Sequence, residues 1–460
     1  MRRALAILTA ALAAAALVPA AAEAHGLVQR QQLPIPEWLF AWSAAAVLVI
    51  SFFALAVLWP KPRLEQDAWR PLPGGRFIAG APVQAVCGAV GVALLAITIL
   101  AGYIGQSSAL DNWAPTFVMI IFWVGLVFAS ILFGDLFKAF SPWRALGRLL
   151  PSRNRPYPER LGRWPAAVGL FVFVWIELVS GWSEDPPMLA TAALGYTVYA
   201  LVAQYVYGVE RWTERGEAFA VYFNLFARLS IFETRDGVVG IRRPLGGLPS
   251  LERLPGTVAF TCVMIGTVSF DGLSQGELWR NISDSGVDVL GFLGTLTAAR
   301  VMGTLGLLAG VLVIAAFYRL GIEGARSVGG NRSIGELENG FVHSLIPIAA
   351  VYVAAHYLTF LIFEGQAISY LASDPFNAGW DLFGTVNSGI DYTVFPQEST
   401  WYVQVAVVVL GHVAALVLAH DRALTLYGDS RLAVRSQYWM LGVMVGFTSL
   451  ALWLLAQAGG

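Results

Sequence analysis

A chain of 460 residues that is 57% hydrophobic and only 13% charged does not read as a soluble globular protein; its composition is that of a polytopic membrane protein. Its 29 Lys and Arg against 30 Asp and Glu leave a net charge of −1 with no basic arm or basic-aromatic module set apart, which argues against nucleic acid as a partner. The two cysteines, Cys87 and Cys262, lie in separate apolar runs without a CxxC pair, so neither a disulfide framework nor a thiolate zinc site is expected.

The first 24 residues have the layout of a secretory signal peptide: Arg2 and Arg3, the apolar core "ALAILTAALAAAALV", the breaker Pro19, and Ala22-Glu23-Ala24 as an A-x-A cleavage site. Cleavage after Ala24 makes His25 the first mature residue and leaves 25–460 as a single integral membrane domain. A cut after Ala22, or an uncleaved anchor, also satisfies the pattern.

Crossing ~30 Å of hydrocarbon takes about 20 residues of helix. Apolar runs near that length fall at 38–59, 83–105, 113–134, 164–182, 188–208, 256–270, 301–318, 338–363, 401–420 and 436–457. The expected fold is therefore an all-α, polytopic transmembrane helical bundle of about ten mature spans. The run 256–270 is the weakest. The stretch 216–232 mixes aromatic and charged residues and reads as a helix lying in the membrane interface.

The cations give the direction of the chain. With the mature N-terminus outside, 24 of the 29 Lys and Arg fall in inner connections, and of the mature chain's cations only Arg30, Arg280 and Arg300 fall outside. An even number of spans returns the C-terminus to the outer face of the cell inner or plasma membrane. The long outer connections are then 271–300 and 364–400, and the second carries Glu364, Asp374, Asp381, Asp391 and Glu398 with no Lys or Arg. A solvated acidic loop accounts for those carboxylates.

No GxSxG elbow, HExxH, P-loop or dinucleotide fingerprint occurs. Chemistry falls to the five histidines. His343 and His356 belong to the eighth run, and His412 and His420 to the antiparallel ninth. Counted from the outer ends, His356 is seven residues down and His412 eleven, a depth difference of about 6 Å at ~1.5 Å per residue. Ionisable groups at matched depth on adjacent spans face a partner or a cavity. His343 and His420, near the opposite ends, read as hydrogen-bonded structural residues.

Imidazole is the commonest protein ligand for zinc and copper, and a catalytic metal takes three protein ligands plus an open position. His356 and His412 are two candidates. His25 is the third, because a cleaved terminus offers a ring and an α-amine together, and "HGLVQRQQLPIPE" is long enough to fold back over the bundle mouth. Glu177 in "VWIELVSGW" and Asp271 in "TVSFDGLS" point to the same mouth as a fourth ligand or the base that deprotonates water. Pro347 is expected to break the eighth span just after His343.

Taken together, "AHGLVQRQQLPIPEWLFAW", "APTFVMIIFWVGL", "SPWRAL", "TVSFDGLS", "SDPFNAGWDLFGT" and "GHVAALVLAH" resemble a group of bacterial, often actinobacterial, multi-span proteins known as fenitrothion hydrolases. The resemblance implies a membrane-integrated hydrolase that cleaves organophosphorus triesters at the aryl P–O bond. Such substrates are man-made, so a natural substrate differs. An apolar aryl ester partitions into the bilayer and reaches the outer mouth laterally.

Two other readings compete. A copper-handling transporter or oxidase also suits a nitrogen-rich set with a terminal histidine, although the seven methionines are scattered rather than clustered as a copper(I) path prefers. Two haems ligated by the four span histidines rank last, since the intervals of 13 and 8 residues are unequal. A second subunit that completes the site is compatible with the sequence.

Overall fold

The computed structural model describes residues 37–329 and 332–458. The signal segment and His25 lie outside the described residues. The principal helices are α1 (Glu37–Leu58), α2 (Ala81–Ile104), α3 (Trp113–Phe133), α4 (Trp164–Ser180), α5 (Pro186–Tyr207), α6 (Ala218–Ala227), α7 (Thr257–Ser274), α8 (Glu277–Val289), α9 (Thr295–Ser327), α10 (Ile346–Ile362), α11 (Gln397–Tyr427) and α12 (Ser430–Ala458). The protein is an all-α helical membrane bundle. Among the described residues seven helices are long and apolar enough to cross a membrane, and α1, α4 and α12 fall on the three remaining apolar runs.

Caps start and stop these helices where the sequence places polar side chains and glycine. Asn112 accepts from the Ala114 N–H at the head of α3, and Asp185 accepts from the Met188 N–H at the head of α5. Gly208 and Gly428 take positive φ values of 92° and 68° after α5 and α11, which an L side chain rarely adopts. Val342–Leu345 forms a tight turn, and Pro347 stands in the first turn of α10, so the expected break beside His343 is present.

The weakest apolar run is the centre of the bundle. In α7, 78% of the most apolar window is buried, against 22–39% for α2, α3, α5, α9 and α11. A helix that touches protein on every side need not be apolar on every side, and α7 packs against α4, α9, α10 and α12. Thr261, Thr267 and Ser269 donate their hydroxyls to carbonyls four residues back, so their burial leaves no orphan donor. Gly266 lets α9 approach closely: a Cβ there would stand 2.5 Å from the Val311 Cα.

The interface helix expected at 216–232 is instead an element of the core. In α6, nine of its ten residues are buried, because "AFAVYFNLFA" is apolar around its whole circumference. Phe219, Tyr222 and Phe223 interlock with Phe122, Trp123, Phe137, Trp143 and Phe173. The buried Glu217 carboxylate caps this helix, accepting from the Phe219 and Ala220 N–H groups and the Tyr196 hydroxyl.

Three short strands, β1 (Arg70–Pro71), β2 (Phe232–Arg235) and β3 (Val238–Ile241), form an antiparallel sheet in the order β1-β3-β2 at the end where α2 begins. This sheet end holds every Lys or Arg ion pair among the described residues, including Arg144–Glu210, Arg242–Glu233 and Arg422–Glu65. At the opposite end the connection 271–300 is largely helical, as α8. In the acidic connection, Asp374 accepts from the Ala378, Gly379 and Trp380 N–H groups, and those amides hold its carboxyl below the usual range. Asp391 accepts from Thr393, and Glu364 from the Tyr392 hydroxyl. These acids fasten the loop, Asp391 exposed and Asp374 and Glu364 half-buried.

Candidate functional site

The buried centre is built on α7 and α10. Asp271, one turn from the end of α7, accepts from His356 Nε2 at 2.8 Å and from the Tyr357 hydroxyl at 2.7 Å, both on the same oxygen, Oδ2. Adjacent residues on α10 reach one oxygen because their rings meet edge to face, 4.6 Å between centroids. An ionised carboxylate only accepts, so His356 Nε2 carries a proton, and Nδ1 has no hydrogen-bond partner among the described residues. The His356 side chain is 17% exposed and that of Asp271 9%.

His412 is fully buried on α11. Its Nδ1 donates to the Val408 carbonyl at 2.8 Å, while Nε2 is buried with no hydrogen-bond partner among the described residues. The α10–α11 register is fixed by Gln404, whose amide donates to the Ala355 carbonyl, and by Gly411, seated against Val351. His412 therefore sits at the level of Tyr352, with ring centroids 6.4 Å apart, one helical turn along α10 from His356. The depth offset expected from residue counting matches this register.

The other two span histidines are placed differently. His420 engages both ring nitrogens, Nε2 with the Trp59 carbonyl at 3.0 Å and Nδ1 with Gln437 Oε1 at 3.3 Å. Its neighbour Asp421 accepts from the Trp59 indole and from the Arg63 and Leu64 N–H groups. His343 is buried, with the Gly340 backbone close to its ring. His420 acts as a cross-link between α11, α12 and the end of α1, whereas the contact of His343 is local.

Glu177 falls on a wide turn, Ile176–Ser180, where α4 relaxes into π-helix; such bulges recur at functional positions. Its Oε2 is buried without a partner, within electrostatic reach of Asp271 and Tyr222. The Trp123 indole approaches the same carboxylate without hydrogen-bond geometry, and Trp123 too lies on a π-helical stretch, Thr116–Gly125. Trp123 stacks on Tyr222 at 4.5 Å, closing the α6 side of the centre.

The structure thus brings Glu177, Asp271 and His356 into one polar cluster and places His412 a turn deeper. Sequence reading missed Tyr357, Trp123 and Tyr222, which complete the cluster's walls. Tyr357 had a weak signal as the residue next to His356; the π-helical turns had none. Among the described residues no three His, Cys, Asp or Glu side chains gather closely enough to hold a metal ion. The donor set nonetheless suits one in part, because His412 Nε2 is an orphaned buried acceptor and His356 Nδ1 is left free by Asp271.

Two cavities flank this centre. A large apolar one of about 980 Å³ opens between α2, α3, α4 and α5, with Leu94, Phe117, Phe173, Leu189 and Tyr196 among its walls. A second, of about 600 Å³, lies between α4, α7, α8 and α9 and includes Ser180 and Ser274, each three residues beyond Glu177 and Asp271 respectively.

No protein-family model, curated protein or solved structure matches the chain. Fold and site together define a class: a polytopic α-helical membrane protein with a carboxylate–histidine–tyrosine cluster buried in its bundle.

Proposed function

We propose that this protein is a membrane-integrated, metal-dependent hydrolase of apolar esters, with organophosphorus triesters of the fenitrothion type as its accessible substrates. One observation carries the reading: His356 and His412 each commit one ring nitrogen to an oxygen of the protein, while the other nitrogen has no hydrogen-bond partner among the described residues. Metal-ligating histidines share that arrangement, since a bond on one nitrogen fixes the tautomer and aims the other.

His356 and His412 would hold zinc or copper together with His25, whose ring and α-amine enter from the mouth if the chain is cleaved after Ala24. When bound, such a metal supplies Lewis-acid polarisation of a phosphoryl or thiophosphoryl group and makes water more acidic. Asp271 fixes the His356 ring, and Tyr357 holds Asp271. Glu177, with its free oxygen, takes the proton as water oxygen bonds to phosphorus; the aryl P–O bond breaks, the phenolate leaves, and it recovers that proton from Glu177 as phenol. The 980 Å³ apolar cavity gives a bilayer-borne ester a place to lodge beside α4. Copper handling is the second reading, supported by the same free nitrogens and separable by the metal found.

Glu177→Gln tests the assignment of the base. It should retain metal while losing 10²–10⁴-fold in nitrophenol release from a fenitrothion-like triester. Unchanged turnover in that variant contradicts the role given to Glu177.

The cation distribution supports an inner location for the sheet end and an extracytoplasmic one for the acidic connection, with both mature termini outside. A cysteine at the exposed Ser388, in an otherwise Cys-free background, should react with an impermeant thiol reagent in intact cells; labelling only after lysis would reverse the topology.

A further inference from the structure

Arg300, near the start of α9, is one of only two Lys or Arg residues of the described chain at the end opposite the sheet; the other, Arg280, is exposed. Its Nη2 donates to the Ser180 carbonyl at 2.7 Å, and its Nε is buried with no acceptor among the described residues. No carboxylate among the described residues pairs with it. Asp185, on the same cavity, is exposed and caps α5 through the Met188 N–H. A partly buried guanidinium whose fork is half used is expensive unless an anion completes it.

That guanidinium lines the 600 Å³ cavity, with Trp182 and Trp279 also in its wall. Trp279 is held edge to face by Phe270, 4.9 Å away, and Trp182 by Trp175, 6.3 Å away. The site therefore offers one cation with free donors beside two braced indoles.

We infer that this cavity binds a small organic monoanion with an aryl body, the anionic head on Arg300 and the ring against Trp182 and Trp279. The chemistry fits a phosphodiester or a carboxylate alike. The inference does not rest on the hydrolase reading, although a phosphodiester product released beside Glu177 and Asp271 would belong to this class.

Binding is measured on the detergent-solubilised full chain by tryptophan quenching, with methyl 4-nitrophenyl phosphate and 4-nitrobenzoate as anionic probes and nitrobenzene as the neutral one. Both anions should quench saturably and more tightly than nitrobenzene; a preference for one anion identifies the head group. Arg300→Gln should weaken anion binding at least about tenfold and leave nitrobenzene unchanged. Arg300→Lys, which keeps the charge, should bind at intermediate strength, and Trp279→Phe should reduce the quenching amplitude. His412→Ala should bind the anions as the wild type does. Equal affinity in Arg300→Gln, equal affinity for nitrobenzene, or loss of binding only in His412→Ala would overturn the inference, the last by placing the anion at the histidine centre. Anion binding without metal or turnover would leave it standing while the hydrolase reading failed.

Discussion

Replacing Asp271 with alanine should both unfold the protein more easily and release the proposed metal. The side chain accepts two hydrogen bonds on one buried oxygen, from His356 and Tyr357. Without it, two donors are left in a low-dielectric interior, at about 1–3 kcal/mol each. The thermal midpoint of the detergent-solubilised chain should fall by an amount corresponding to about 2–6 kcal/mol. Metal affinity should fall about 10–100-fold, the usual effect of removing the group that orients a ligand histidine. Asp271→Asn separates the two effects, because an amide carbonyl has two lone pairs and can still accept both bonds, without the charge that strengthens them. It should keep most of the stability and lose metal affinity. Equal stability in wild type and Asp271→Ala would show that the cluster is not a structural centre.

The span histidines should divide two and two. His412→Ala removes the orphaned Nε2, and His356→Ala removes the ring that Asp271 holds; each should reduce metal retention at least about a hundredfold and abolish ester hydrolysis. His420→Ala leaves the Trp59 carbonyl and Gln437 without their partner, and His343→Ala strips a buried backbone contact. Those two variants should express poorly or melt earlier, by about 1–3 kcal/mol, and whatever folds should carry metal like the wild type. Metal analysis of the four purified variants side by side makes the comparison. Equal loss in all four would favour a relay or haem-like arrangement over a single site.

The bundle was legible in the sequence because bilayer thickness imposes a length on each apolar run, and the runs survive as helices at nearly the expected bounds. Two departures share one cause: periodicity and hydropathy report what a segment contains, not what surrounds it. The run around 256–270 looked short for a span, yet α7 continues to Ser274, is enclosed by other helices and its hydroxyls bond to their own backbone. The segment around 218–227 looked interfacial because charges flank it, yet its own residues are apolar all round and it is buried. At the site, counting residues from span ends aligned His356 with His412 because antiparallel helices share a rise per residue. The Asp271–His356 bond was beyond such counting, since which faces of α7 and α10 meet depends on their rotation. The π-helical turns that present Glu177 and Trp123 had no pattern to announce them.

The account stands on a metal held at the His356–His412 level, and elemental analysis of the purified full chain, taken with its visible and EPR spectra, tests it most directly. About one equivalent of zinc per chain, lost in His412→Ala and kept in His420→Ala, is the predicted result. A metal-free wild-type chain that still hydrolyses the ester, a type 2 copper signal, or a haem spectrum would contradict it.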